Sequence, residues 1–255
     1  MLAVEEVIQK LKEQGVPRFR AMQVVQAVYK EGKNSYDQVS TLPKNLKLLL
    51  PQLLPIYSLD IVKCQVAKDQ QTEKCLFETH DKQKIESVLM RFKDQRYSVC
   101  VSSQIGCQLG CKFCATGTMK FGRNLTYEEI ADQVLFFAQK LQKEDKHITN
   151  IVYMGMGEPF MNYDNVLKSV RVINDKKGLN IGARHITIST SGICEGIEKL
   201  AEEDIQVSLA ISLHAPNQEL RARIMPIARK YSLDTLMKAV NLYLTKTKRR
   251  VSYEY

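Results

Sequence analysis

Cys107-Gln108-Leu109-Gly110-Cys111-Lys112-Phe113-Cys114 sets three thiols within eight residues, spaced C-x3-C-x2-C, with an aromatic just before the third. A four-iron cube needs a ligand on each iron, so three thiolates leave one iron open to a small chelating ligand. Structural zinc would want a fourth Cys or His at a paired spacing, and the nearest downstream candidate, His147, has no second ligand beside it. Three ordinary packed cysteines fit poorly, because Gly106 and Gly110 interrupt the packing period and Lys112 resists burial. Disulfides fit poorly too, since seven cysteines is an odd count and the amino terminus reads as a charged amphipathic helix, not a signal peptide. Free thiols in a reducing, cytoplasmic compartment are predicted.

Around this loop the chain alternates strand and helix. Strands are predicted at Ser98–Ser103, Asn150–Gly155, His185–Ser189 and Gln206–Leu213, with a fifth beginning at Arg250. Between them, Thr126 and Glu129 form a capping box for a helix carrying Ile130, Val134, Phe137 and Leu141, and Val166, Val170 and Ile173 mark another helix. Apolar strands alternating with amphipathic helices predict an α/β fold with a parallel sheet, a partial (β/α) barrel over residues 94–255. A complete eightfold barrel takes about 250 residues, so the ending at Tyr255 is expected to be that of an incomplete domain.

The upstream segments differ in period. Val4, Val7, Ile8 and Leu11 fall at helical spacing, Gly15 and Pro17 break that helix, and further helices are predicted at about 20–29 and from Pro43, giving a helical unit over residues 1–56. Residues 57–93 read as a small antiparallel extension with strands near 60–66, 74–79 and 84–92.

Composition sets outer limits. At 255 residues, 44% hydrophobic and 25% charged, the chain is an ordinary globular protein, and no apolar run approaches the eighteen residues of a membrane span. The formal charge of +9 favours polyanionic partners. Residues 217–250 hold nine Lys/Arg against Glu219 and Asp234, a surplus of seven, although a solvated helix face would look the same.

Ligands of α/β sheets gather at the carboxyl ends of the strands. There stand the cysteine loop, Met154-Gly155-Met156-Gly157-Glu158-Pro159, Ser189-Thr190-Ser191-Gly192 and Ser212-Leu213-His214. Glycines admit close backbone approach, Glu158 can accept from an ammonium, and the serines and His214 can hold ribose or carboxylate oxygens. Each of these alone is weak evidence; together, at four successive strand ends, they converge on one site.

Cys100-Val101-Ser102-Ser103-Gln104-x-Gly106-Cys107, the three-thiol loop, Met-Gly-Met-Gly-Glu-Pro, Ser-Thr-Ser-Gly and Ser-Leu-His-Ala-Pro-Asn together resemble the radical S-adenosylmethionine (SAM) RNA adenine carbon 2 methyltransferases, the RlmN family. The resemblance spans the whole chain. The sister Cfr group, which methylates carbon 8, is similar throughout, but Pro159 after Glu158 is more like the carbon 2 enzymes. The resemblance implies that Cys107, Cys111 and Cys114 hold a [4Fe-4S] cluster and that Gly157, Glu158, Ser189, Ser212, Leu213 and His214 contact SAM. Glu86 falls at the family's proton acceptor and Cys100 at the cysteine that resolves a covalent enzyme–RNA adduct. By themselves these two read as a solvent-facing strand residue and a small buried one.

The implied activity is methylation of a specific adenosine in 23S rRNA and in some tRNAs. Implied partners are those RNAs and a reductant such as flavodoxin or ferredoxin, with a monomeric enzyme and no membrane. In the family a cysteine first takes the methyl group, a 5'-deoxyadenosyl radical abstracts hydrogen from it, and the carbon radical adds to the ring. That cysteine would lie beyond Tyr255, since Cys64, Cys75 and Cys194 do not match its context; residues 1–255 alone are therefore expected to make no methylated adenosine. A noncatalytic iron–sulfur RNA-binding remnant and a radical SAM enzyme for a small molecule or peptide are the competing readings.

Overall fold

The computed structural model describes all 255 residues. Helices α1 (Val4–Glu13), α2 (Arg18–Val25) and α3 (Lys44–Leu53) come first, α2 running on into a π-helical turn over Gln26–Lys30. Pro43 stands immediately before α3, where its missing N–H costs nothing. Strands β1 (Leu59–Val66), β2 (Thr72–Thr79), β3 (Lys84–Arg91) and β4 (Tyr97–Cys100) then pair antiparallel in sequence order. From β4 onward every pairing is parallel: β5 (Asn150–Tyr153), β6 (Ile186–Thr190), β7 (Ser208–Ser212) and β8 (Val251–Glu254) follow in order. The result is one eight-stranded sheet whose second half is the partial barrel predicted from the alternation.

Four crossover segments lie between the parallel strands: α4 (Tyr127–Gln142), α5 (Tyr163–Asn174), α6 (Cys194–Glu202), and α7 (Gln218–Ile224) with α8 (Leu233–Thr247). The capping box at Thr126 and Glu129 is formed as expected. One hydrophobic core runs from α1 through Leu50, Phe77, Phe137 and Ile188 to Tyr243 in α8, so the first helices pack into the same interior as the sheet. No helix is long and apolar enough to cross a membrane.

Side chains alternate across the strands, and the register sorts them. Ile151, Tyr153, Ile186, Ile188, Leu209 and Ile211 are buried on the face that the helices cover. The other face carries Cys100, Val152, Thr187, Ser189, Ala210, Ser212 and Glu254, small or polar residues that leave room above the sheet. Glu86 and Val88 of β3 fall on this same face by their pairing, Val88 being opposite Cys100.

Strand β4 is shorter than predicted because Ser102 and Ser103 leave the ladder and are held by side chains. Gln133 of α4 accepts from the Ser102 N–H at 2.8 Å and donates to its carbonyl at 3.0 Å, while Asn162 donates to the Ser103 and Leu125 carbonyls, both at 2.8 Å. The Ser102 hydroxyl donates to the Glu86 carbonyl and accepts from the Met156 N–H, joining β3 to the loop after β5. Gln133→Ala would leave two buried backbone groups unpaired, each costing about 1–3 kcal/mol. A loss of about 2–4 kcal/mol in urea unfolding is expected, without change in the slope.

One expectation is corrected by the fold, and the basic segment is divided by it. Cys64 and Cys75 form a disulfide instead of remaining free, because β1 and β2 set them directly opposite each other, a register that the cysteine count could not reveal. The basic segment 217–250 is not one surface: Arg221 is fully buried and Arg249 half-buried, which leaves an exposed surplus of five. Lys248, Arg249 and Arg250 precede β8, at the end of the sheet away from the loops that follow β5, β6 and β7, whereas Arg223, Arg229 and Lys230 stand on the side of those loops.

Candidate active site

Cys107, Cys111, Cys114, Gly157, Glu158, Ser189, Ser212 and His214 line one open cavity of about 210 Å³ at the carboxyl ends of the parallel strands. The cysteine loop is anchored from below: the Lys112 N–H donates to the Ile224 carbonyl at 2.9 Å, and Met225 packs with Leu109 and Cys111. Burial pushes the Cys111 thiol up to about 11, with the Cys107 and Cys114 thiols adding to the rise; burial likewise raises Cys107. Sulfurs that oppose one another's ionisation are destabilised as bare thiolates and relieved by a shared cation. The donor set therefore fits a metal cluster whose binding releases protons.

Opposite this loop, Glu158 is 2% exposed. Its carboxylate accepts from Phe160 N at 3.1 Å and from Ser191 N at 2.7 Å, tying the loop after β5 to the loop after β6. Much of its hydrogen-bonding capacity thus goes to backbone, which the sequence reading did not anticipate. Burial raises its pKa against the effect of these bonds. An acid with a raised folded pKa binds its proton more tightly when folded, so its stabilising contribution is complete below the unfolded value and is lost as pH rises through the folded one. Wild type minus Glu158→Gln should therefore show a stability difference that moves against wild type above about pH 4.5. Denaturant midpoints of the metal-free proteins between pH 4 and 8 would check it; a difference independent of pH would contradict it.

Gly157 holds φ at +101°, and a Cβ there would meet Gln104 Cβ at 2.5 Å. Gln104 also accepts from the Glu158 N–H at 2.8 Å, so backbone and side chain interlock at this point. Phe113 packs edge-on against His214, ring centroids 4.8 Å apart, at the cavity wall.

Glu254 of β8 was not singled out from the sequence. Its carboxylate lies 3.3 Å from the Ser189 hydroxyl and 3.1 Å from that of Ser212, and its carbonyl accepts from Leu213 N and His214 N, both at 3.0 Å. Only the β7–β8 register, with Ser212 opposite Glu254, brings them together, and no motif spacing carried that signal. Leu213 itself does not line the cavity; it contributes backbone alone.

Glu86 and Cys100 share the open face of the sheet but not the cavity lining. Glu86 is half-exposed and pairs with Lys74 at 2.9 Å. Cys100 is partly buried, and burial pushes its thiol up to about 11. Cys194 is buried in α6, its Sγ directed at the Gly192 carbonyl.

Residues 101–254 match the model of the radical SAM superfamily. The chain is 45% identical over 254 residues to proteins described as probable dual-specificity RNA methyltransferase RlmN from Bacillus thuringiensis (strain Al Hakam) and Bacillus anthracis (strain A0248). All of this chain is aligned in each case, with 70% of the relative's length. A crystal structure of a radical SAM methyltransferase from Sphaerobacter thermophilus superposes with a TM-score of 0.95 at 45% identity, covering 100% of this chain and 74% of that one.

Proposed function

The chain belongs to the radical SAM superfamily and within it to the RlmN family of RNA methyltransferases, and from that premise we propose that it supplies the cluster and SAM site for methylation of carbon 2 of adenosine in 23S rRNA and in some tRNAs. The observation that carries the reading is the cavity that gathers three thiols, Glu158, Ser189, Ser212 and His214 at successive strand ends.

Cys107, Cys111 and Cys114 would hold the [4Fe-4S] cluster, which when bound supplies the electron that cleaves the SAM sulfonium. The chain's own residues do the rest. Gly157 lets the backbone come close to the amino acid end of SAM, and Glu158 fixes the two loops that flank it, its remaining lone pairs free to accept from the ammonium. Ser189 and Ser212, oriented by Glu254, offer hydroxyls to the ribose. Phe113 and His214 give a ring edge for the adenine. Glu86, paired with Lys74 at 2.9 Å, accepts the carbon 2 proton. Cys100 resolves the enzyme–RNA adduct; with its thiol pushed up to about 11 it is protonated at neutral pH until a base takes the proton. A flavodoxin or ferredoxin as reductant, a monomeric enzyme and a cytoplasmic setting complete the proposal.

Mass spectrometry of nucleosides from 23S rRNA and tRNA tests it in the source cells, with and without the gene for this chain. Loss of 2-methyladenosine on deletion is the expected result. Unchanged 2-methyladenosine, or loss of 8-methyladenosine instead, would contradict it.

A further inference from the structure

Arg221 in α7 is a buried cation without a carboxylate partner. It is 0% exposed and forms no salt bridge. Its Nη2 donates to the Ser191 carbonyl at 2.7 Å and the Ser212 carbonyl at 3.2 Å, and its Nε to the Leu213 carbonyl at 3.2 Å. Its Nη1 is enclosed and has no acceptor. An uncompensated buried charge is strongly unfavourable, so the fold must supply an anion or keep a place for one.

The surroundings offer one. Met225, whose N–H donates to the Arg221 carbonyl at 2.8 Å, packs on Cys111 and Leu109, and the preceding residue, Ile224, accepts from Lys112 of the cysteine loop. Arg221 therefore sits one helical turn behind the contact that carries the three-thiol loop. The other nearby thiol, Cys194, is held neutral at physiological pH because burial pushes it up to about 11. A four-iron cube with three thiolates is a net anion and gains a further negative charge on reduction.

We propose that Arg221 is a positioning residue with two tasks: its guanidinium clamps the loops after β6 and β7 around SAM, and its charge compensates the cluster and favours the reduced form. The proposal rests on the cluster and SAM reading above. A neutral side chain should then shift the one-electron reduction equilibrium away from the reduced cluster, whereas lysine, which keeps the charge but not the fork, should not. Both should loosen SAM, because neither reproduces bonds to three carbonyls.

The experiment compares wild type, R221K, R221M and R221Q after anaerobic reconstitution, by EPR-monitored redox titration and by SAM binding. Failure of wild type itself to load iron would count against the functional reading; the proposal about Arg221 is judged on a loaded wild type. Expected are a tenfold or larger change in the reduction equilibrium for R221M and R221Q, about 59 mV for a one-electron couple, and less than threefold for R221K. All three should bind SAM at least tenfold more weakly. If the neutral variants lose the cluster while R221K keeps it, charge is what the cluster requires and the proposal stands. It is overturned if the neutral variants keep the wild-type potential, if R221K shifts as far as they do, if R221K binds SAM like wild type, or if all three variants fail to fold.

Discussion

Replacing Cys107, Cys111 and Cys114 together with alanine is expected to abolish iron binding, from about four irons per reconstituted chain to none. The three thiols are the only cysteines on the cavity wall. Of the remaining cysteines, Cys64 and Cys75 are joined to each other, Cys194 lies in α6 and Cys100 lies off the cavity lining on the open face of the sheet, so none can substitute. The loss should be specific. The loop's backbone is tied down by the Lys112–Ile224 bond and by a turn from Cys114 N to the Cys111 carbonyl, and it lies outside the main core. Unfolding of the metal-free triple variant should therefore differ from that of metal-free wild type by about 1 kcal/mol or less, within the range of replacements away from a packed core. Iron and sulfide analysis beside a denaturant titration checks both halves. Iron retained by the triple variant would contradict the assignment of the cluster.

Gly157→Ala is expected to be the most damaging single substitution of a residue without a chemical group. At φ +101° any Cβ is strained, and here it would also press on Gln104 at 2.5 Å from Cβ, 2.7 Å from Cγ and 2.8 Å from backbone N. Gln104 cannot retreat freely, since it is fully buried, its N–H donates to the Met156 carbonyl and its side chain spans Glu158 N and Asn124. Relief must come from displacing the loop that carries Glu158. A stability loss of about 2–4 kcal/mol and SAM binding weakened at least tenfold are expected, measured by urea unfolding and equilibrium dialysis. An alanine variant with wild-type affinity would show that this loop does not shape the SAM site.

Much of this was legible before any coordinates. The three-thiol loop has few chemical readings, and the rule that ligands gather at the carboxyl ends of parallel strands needs only the order of strands and loops. The alternation of Ile151, Ile186 and Leu209 runs with amphipathic helices was enough for the parallel sheet, because the face that crossover helices cover leaves a mark on composition. What stayed hidden depended on pairing between distant segments. Cys64 and Cys75 look like two isolated cysteines until β1 and β2 are aligned, and Glu254 looks like a terminal acid until β8 lies beside Ser212. Arg221 misled in the other direction: within a run of basic residues it reads as surface charge, whereas α7, at seven residues, is too short to reveal by periodicity which side faces inward.

The central claim is that the open iron of a three-thiolate cluster receives SAM in this cavity. The most direct test is the EPR spectrum of the anaerobically reconstituted, reduced protein before and after addition of SAM. A four-iron signal that changes on SAM addition, and that no longer responds when Ser189 and Ser212 are both replaced by valine, is the predicted result. Stoichiometric zinc with no iron–sulfur signal, or a cluster spectrum indifferent to SAM, would contradict it.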